Sequence, residues 1–218
     1  MSKNNNSPLE WDEILTNENY LMERGGIVDI RIAQAKKWWN YRKKVVNIGS
    51  GQGFLEDIFR SEILKNEVNW TAVDVSVKGL KRIKRIHDKV RIQIGNITHL
   101  QFLPNQFDLI YCMEVLEHLN KKSVALAYKE LNRIATPKAI YVISVPVYEP
   151  RSLKNHPVGH NRKYTPEIVK DELEENGFKI IESKYFYAFR KLNSIKTIIC
   201  LNYHLRRPNV VMFLCQKS

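Results

Sequence analysis

A chain of 218 residues suits one α/β domain with a sizeable core and is short for two, and 44% hydrophobic with 27% charged residues is ordinary for a globular protein. No apolar run approaches the roughly 18–20 residues that span a bilayer, and the N-terminal MSKNNNSPLEW lacks the apolar core of a signal peptide, so a cytoplasmic location is expected. The net charge of +12, from 35 basic and 23 acidic residues, permits nucleic acid or an anionic substrate as partner and demands neither.

In chain order, residues 1–9 read as disordered: polar, with Asn4–Asn6 and Pro8. Trp11, Ile14, Leu15, Tyr20 and Leu21 suggest a short helix or lid, broken at Gly25-Gly26. A second helix is predicted from about Val28 to Tyr41. Residues 1–41 therefore form an N-terminal helical segment ahead of a domain at 42–218. From Lys44 the pattern alternates. KVVNI is a buried strand and GFLEDIFRSEIL a helix; NWTAVDV is a strand and SVKGLKRIKRIHD a helix capped by Ser76. VRIQIGNI and FDLIYCM are strands. KSVALAYKELNRIA is a helix stopped by Pro137, and AIYVISVP is a strand. TPEIVKDELEENGF carries full helix punctuation: Thr165 as cap, Pro166 at the first position and Gly177 past the end. KIIESKYF and NVVMFLCQ are the last strands. Seven strands, with helices between the first five, imply a Rossmann-like α/β fold: a mostly parallel sheet covered on both faces, its final strand antiparallel.

The stretch VVNIGSGQG, Val45–Gly53, places three glycines after the first strand, where open α/β sheets bind ligands. A phosphate-binding P-loop needs a lysine that is missing here, and the dinucleotide fingerprint wants glycine where Phe54 stands. A GxGxG loop under S-adenosylmethionine needs no phosphate cradle. Asp74 ends the next strand, where a carboxylate can accept both ribose hydroxyls of an adenosine ligand. Cys112, Cys200 and Cys215 show no metal or redox spacing and read as buried thiols.

VVNIGSGQG, AVDVS, GNI at Gly95–Ile97 and FDLIYCMEVLEHL at Phe107–Leu119 together resemble the class I S-adenosylmethionine-dependent methyltransferases. The last segment is similar to their ubiquinone-biosynthesis O-methyltransferase branch. GHNRKYTPEIVKDELEENGF is similar to the stretch before the last helix of many of those enzymes. The resemblance implies a cofactor site of Asn47, Gly49, Ser50, Gly51, Gly53, Asp74, Val75, Asn96, Ile97, Cys112, Met113 and Glu114. In it the glycine loop lines the methionyl portion, Asp74 holds the ribose and Asn96 with Ile97 flanks the adenine. Cys112 and Met113 contribute backbone near the amino group. The family usually has an acid at position 47 and often at 96; asparagine in both places removes negative charge but still hydrogen-bonds.

Methyl transfer needs a nucleophile placed opposite sulfur and, for a hydroxyl, a base. His118, Glu117 and His160 are the candidate catalytic residues, with His118 as the base and Tyr164 a cleft neighbour. A divalent cation held by Glu114, Glu117 and His118 with His156 or His160 is the less favoured alternative. Arg151, Lys154, Arg162 and Lys163 suggest a basic rim or a solvated loop, with Trp38 and Trp39 either overhead or in the core. The helix bearing Lys78, Lys81, Arg82, Lys84 and Arg85 suggests a basic outer face. The expected function is methyl transfer to oxygen or nitrogen of a small-molecule or glycan-like, anionic acceptor. RNA is the alternative acceptor, and a catalytically silent scaffold the alternative of another class.

Overall fold

Val45, Val46 and Ile48 make β1 (Lys44–Ile48) apolar on both faces, and such a strand belongs inside a sheet. The computed structural model describes residues 7–16, 26–150, 152–154, 156–188, 196, 200 and 205–218. The expectations for residues 1–6, Tyr20, Leu21, Gly25 and Arg151 lie outside them. The sheet also contains β2 (Asn69–Asp74), β3 (Arg91–Ile94), β4 (Phe107–Met113), β5 (Ala135–Pro146), β6 (Phe178–Phe186) and β7 (Val210–Lys217). Their order is β3-β2-β1-β4-β5-β7-β6. The first five run parallel, and β7 is antiparallel to both β5 and β6. The Rossmann-like sheet with a reversed final strand is therefore as the strand pattern implies.

The helices are α1 (Pro8–Thr16), α2 (Gly26–Lys37), α3 (Phe54–Ile58), α4 (Arg60–Leu64), α5 (Val77–Ile86), α6 (Lys121–Ile134) and α7 (Pro166–Glu175). On one face of the sheet, Ile32, Phe59, Ile63, Leu80 and Ile83 cluster with Val45, Trp70, Leu109 and Tyr111. On the other, Val124, Tyr128, Leu131, Val169 and Leu173 cluster with Val46, Ile48, Ile110 and Tyr141. Ser76 caps α5 by accepting from Gly79 N (3.0 Å), and Thr165 caps α7 by accepting from Ile168 N (3.4 Å). Among the described residues, no helix is long and apolar enough to cross a membrane.

Local departures have physical causes. The helix expected over 53–64 breaks at Phe59 (φ −96°, ψ 10°), whose ring packs between Trp39 and Trp70. No helix joins β3 to β4; Asn96 Oδ1 instead turns the chain by accepting from Thr98 N and Oγ1, both at 3.0 Å. β5 starts at Ala135 and runs through Pro137, whose fixed φ is compatible with extended chain. α2 stops at Lys37, and Asn40 and Tyr41 take left-handed φ values of 48° and 54°. Trp38 and Trp39 do not line the cavity beside the glycine loop. They are buried on the α2 side of the sheet, where Trp38 Nε1 donates to Glu182 (2.9 Å) and Trp39 Nε1 to Arg42 O (2.6 Å).

The N-terminal helix docks on the sheet domain. Asp12 Oδ1 accepts from Ser76 Oγ (2.6 Å) and Lys78 N (2.9 Å), at the positive end of the α5 dipole. Gly79 sits beneath this junction. On an open helix face, glycine to alanine stabilises by about 0.5–1 kcal/mol. Here an added Cβ would stand 2.8 Å from Gly51 O and 3.1 Å from Leu15. Gly79→Ala is therefore expected to lower the thermal unfolding midpoint; a higher midpoint would refute close packing of α5 on the loop.

Candidate active site

Strand order reverses between β1 and β4, and the chain leaves β1 through the glycine loop. Gly49 N and Ser50 N both donate to Val73 O, at 2.8 and 3.0 Å, which draws the loop across the end of β2. Gly49, Gly51 and Gly53 have φ of 72°, 53° and 85°, a region where a Cβ is strained. A Cβ at Gly49 would also collide with Val115. Asp74 fastens the loop from below: Oδ2 accepts from Gly51 N and Oδ1 from Ser76 N, both at 2.8 Å. Burial raises its pKa, while the backbone donors pull the other way. Each oxygen keeps a further lone pair for a ligand.

The loop forms one wall of a cavity of about 440 Å³. Asn47, Gly49, Ser50, Gly51, Asp74, Val75, Asn96, Ile97, Met113 and Glu114 all line it. Gly53 and Cys112 do not: Gly53 turns the chain behind the loop, and the Cys112 side chain packs in the α6–α7 layer. Asn47 Nδ2 donates to Glu56 Oε1 (2.9 Å), which also accepts from Trp70 Nε1 (2.7 Å). Glu56 is fully buried, and burial lifts its pKa to about 7 against those two hydrogen bonds. Glu114 takes a left-handed φ of 56°; its Oε1 accepts from Ser144 Oγ (2.9 Å) and pairs with Arg31 Nη1 (2.8 Å). Arg31 is buried on α2 and lines the cavity, and its Nε has no hydrogen-bond acceptor among the described residues.

The lining also includes Trp11, Glu117, His118, Val158 and His160. Trp11 packs edge-on against His118 with centroids 4.8 Å apart, and His118 packs edge-on against His160 at 4.7 Å. His160 stacks on His156 at 4.1 Å, and its Nδ1 lies 2.7 Å from Glu149 Oε2. Burial pushes Glu117 well above the usual carboxylate range, and the Glu114 charge adds to that. Burial pulls His118 down to about 3, with His160 adding, so the ring is neutral and a weak base near neutral pH. Burial works to raise Glu149, but the His160 hydrogen bond and the His160 and His156 charges outweigh it and hold it low. An ionised Glu149 fixes the proton on His160 Nδ1 and leaves Nε2 as the basic nitrogen. Glu117, His118 and His160 offer three ligand atoms within 4.8 Å of one another, as do Glu149, His156 and His160.

Other sequence expectations resolve differently. Tyr164 is core, with Arg162 donating to its hydroxyl. Arg162 is no free rim charge, because its guanidinium pairs with Glu172. On α5, Arg82 donates to Gln52 O, and Lys84 to Asp88 O and Val90 O, so part of that basic face serves the fold. Sequence reading missed Arg31, Glu56 and Glu149. Each stands among ordinary helix or loop residues, and no spacing links Glu149 to His160 or Arg31 to Glu114.

Residues 46–143 match the family described as "Methyltransferase domain". An uncharacterised protein of Methanocaldococcus jannaschii is 33% identical over 141 residues, covering 64% of this chain and 59% of that protein. The ubiquinone biosynthesis O-methyltransferase of Aeromonas salmonicida is 27% identical over 84 residues, covering 36% of this chain and 34% of that one. The alignments thus span 59% and 34% of those two curated relatives' own lengths. Among solved structures, the 1,6-didemethyltoxoflavin-N1-methyltransferase of Burkholderia thailandensis, with bound 1,6-didemethyltoxoflavin and S-adenosylhomocysteine, superposes with TM-score 0.73. It is 14% identical, covering 97% of this chain and 87% of that one, a likeness of fold.

Removing the Asp74 carboxylate leaves the buried Ser76 N–H and the half-buried Gly51 N–H without their acceptor. Asp74→Ala is expected to cost about 1.5–3 kcal/mol of unfolding free energy with no ligand present, measured by urea denaturation. Unchanged stability would show that the loop does not depend on this carboxylate.

Proposed function

We propose that this chain, whose residues 46–143 match the methyltransferase-domain family, is a class I S-adenosylmethionine-dependent methyltransferase that transfers a methyl group from S-adenosylmethionine to oxygen or nitrogen of a small-molecule acceptor. The observation that carries this reading is the glycine loop held by Asp74 against the cavity. In this reading the remaining Asp74 lone pairs accept the ribose hydroxyls. Arg31, a buried cation whose Nε has no acceptor among the described residues, meets the methionyl carboxylate. Asn96, whose Oδ1 is engaged by Thr98, offers its Nδ2 to the adenine beside Ile97. Gly53 and Cys112 shape this site from outside the cavity. When bound, the sulfonium supplies an electrophilic methyl group and departs as a neutral thioether, so no acid is required.

The wall formed by Glu117, His118 and His160 receives the acceptor. His160 takes over the role that the sequence suggests for His118. Its Nε2 accepts the hydroxyl proton as the new bond forms, and Glu149 stabilises the imidazolium. His118 and protonated Glu117 shape the acceptor side. The helix α1 acts as a lid on the cavity, since its Trp11 and Leu15 line it. That roof favours a small acceptor over RNA or a large glycan. A second reading of the same wall rests on its converging donors: Glu117, His118 and His160 could hold a divalent cation, which would supply Lewis acidity toward an acceptor oxygen.

Calorimetry with S-adenosylhomocysteine tests the cofactor: binding to wild type, sharply weakened in Asp74→Ala, is expected. Absence of binding to wild type would overturn the reading. Labelled methyl transfer into fractionated host extract tests the acceptor, and label in an RNase-insensitive small-molecule fraction is expected. His160→Ala should lower that turnover by about 10²-fold or more, Glu149→Gln by less, with cofactor affinity retained. Turnover equal to wild type in His160→Ala would remove His160 as base. Label lost with RNase would favour RNA, label lost with chelator the cation, and binding without any transfer the silent scaffold.

A further inference from the structure

We propose that Glu56 is a positioning residue that orients the Asn47 side-chain amide and adds negative charge behind it, so that Asn47 Oδ1 recognises an ammonium group in the cavity. This deepens the cofactor reading and rests on it, the ammonium being that of the amino-acid portion.

The orientation follows from donor chemistry. Indole Nε1 can only donate, so Glu56 Oε1, 2.7 Å from Trp70 Nε1, is an acceptor. The same oxygen lies 2.9 Å from the Asn47 amide, which must turn its NH₂ toward it. Oδ1 is then the atom Asn47 has left for a ligand. Asn47 lines the cavity and is only 3% exposed, so what it presents there is an acceptor, suited to an ammonium and not to a carboxylate.

The charge is the second observation. A neutral side-chain amide would satisfy the Trp70 and Asn47 donors as well as a carboxylate does. The carboxylate is fully buried, and its Oε2 has no hydrogen-bond partner among the described residues. That oxygen lies beneath the last turn of the glycine loop, 3.6 Å from where a Gly53 Cβ would stand. A buried carboxylate with no cation beside it is costly to the fold. An ammonium on the cavity side of Asn47 would supply the missing positive charge. A binding function thus accounts for an acid that packing alone does not require.

The test compares two probes that share the adenosine and thioether. S-adenosylhomocysteine carries the amino-acid group; 5′-methylthioadenosine does not. Glu56→Gln keeps an acceptor for Trp70 and Asn47 but removes the charge. It is expected to weaken S-adenosylhomocysteine by roughly tenfold and methylthioadenosine by less than about twofold, for charges several ångströms apart at intermediate dielectric. The double variant Asn47→Asp with Glu56→Gln returns a carboxylate to the site and should restore most of the lost affinity. If Glu56→Gln does not fold cooperatively, Asn47→Ala, which leaves the Glu56–Trp70 bond in place, should show the same selective loss. Equal losses for both probes, or no loss for either, would overturn the inference. Wild type that binds methylthioadenosine no more weakly than S-adenosylhomocysteine would overturn it while leaving the adenosine site intact. Wild type that binds neither probe would overturn the cofactor reading, and this inference with it.

Discussion

One carboxylate registers the parts of this site against one another. Asp74 ends β2 and holds the N–H groups of Gly51 and Ser76 on its two oxygens. Because Gly51 is held, its carbonyl can lie against Gly79 at the start of α5. Because Ser76 is held, its hydroxyl is placed to donate to Asp12 while accepting from Gly79, which carries α1 onto the same corner. Leu15 and Trp11 then reach the cavity from α1. Loop, helix start and roof are thus linked through hydrogen bonds to two carboxylates, a stronger kind than neutral pairs provide.

Burial divides the titratable groups around the cavity. Deep in a low-dielectric wall, Glu117 is driven toward its protonated form and His118 toward its neutral one. Glu149 escapes because it is less deeply buried and has His160 at hydrogen-bond distance. Among the described residues the wall therefore sets the Glu149–His160 hydrogen bond beside the neutralised Glu117 and His118, which supports the proposal of His160 rather than His118 as base. On the cofactor side the lining includes the Asn47 and Asn96 amides and the Asp74 carboxylate, which the glycine loop's Gly51 N–H holds in place. Glu56 stands behind that side and Arg31 at its edge, each buried and incompletely satisfied among the described residues.

The strands were readable because continuous apolar runs such as KVVNI and FDLIYCM admit little but a sheet buried on both faces. α7 was readable from Thr165, Pro166 and Gly177, whose effects act within a few residues. The glycine loop and Asp74 were readable because two local signals fall at the ends of consecutive strands. The break at Phe59 was not, since it arises where one ring meets Trp39 and Trp70 from distant segments. Spacing does not show the partners of Trp38 and Trp39, which are Glu182, far along the chain, and the local carbonyl of Arg42.

The sequence by itself determined the alternation of elements, the reversed last strand, the loop and the carboxylate at its side, because propensity, capping and turn chemistry are local. Only the tertiary structure decided that Arg31 meets Glu114, that Glu56 turns Asn47, that Glu149 reaches His160, and that His118 is too buried to be a strong base. Hydrogen bonds form over about 3 Å and desolvation depends on everything packed around a group, so neither is encoded in spacing along the chain.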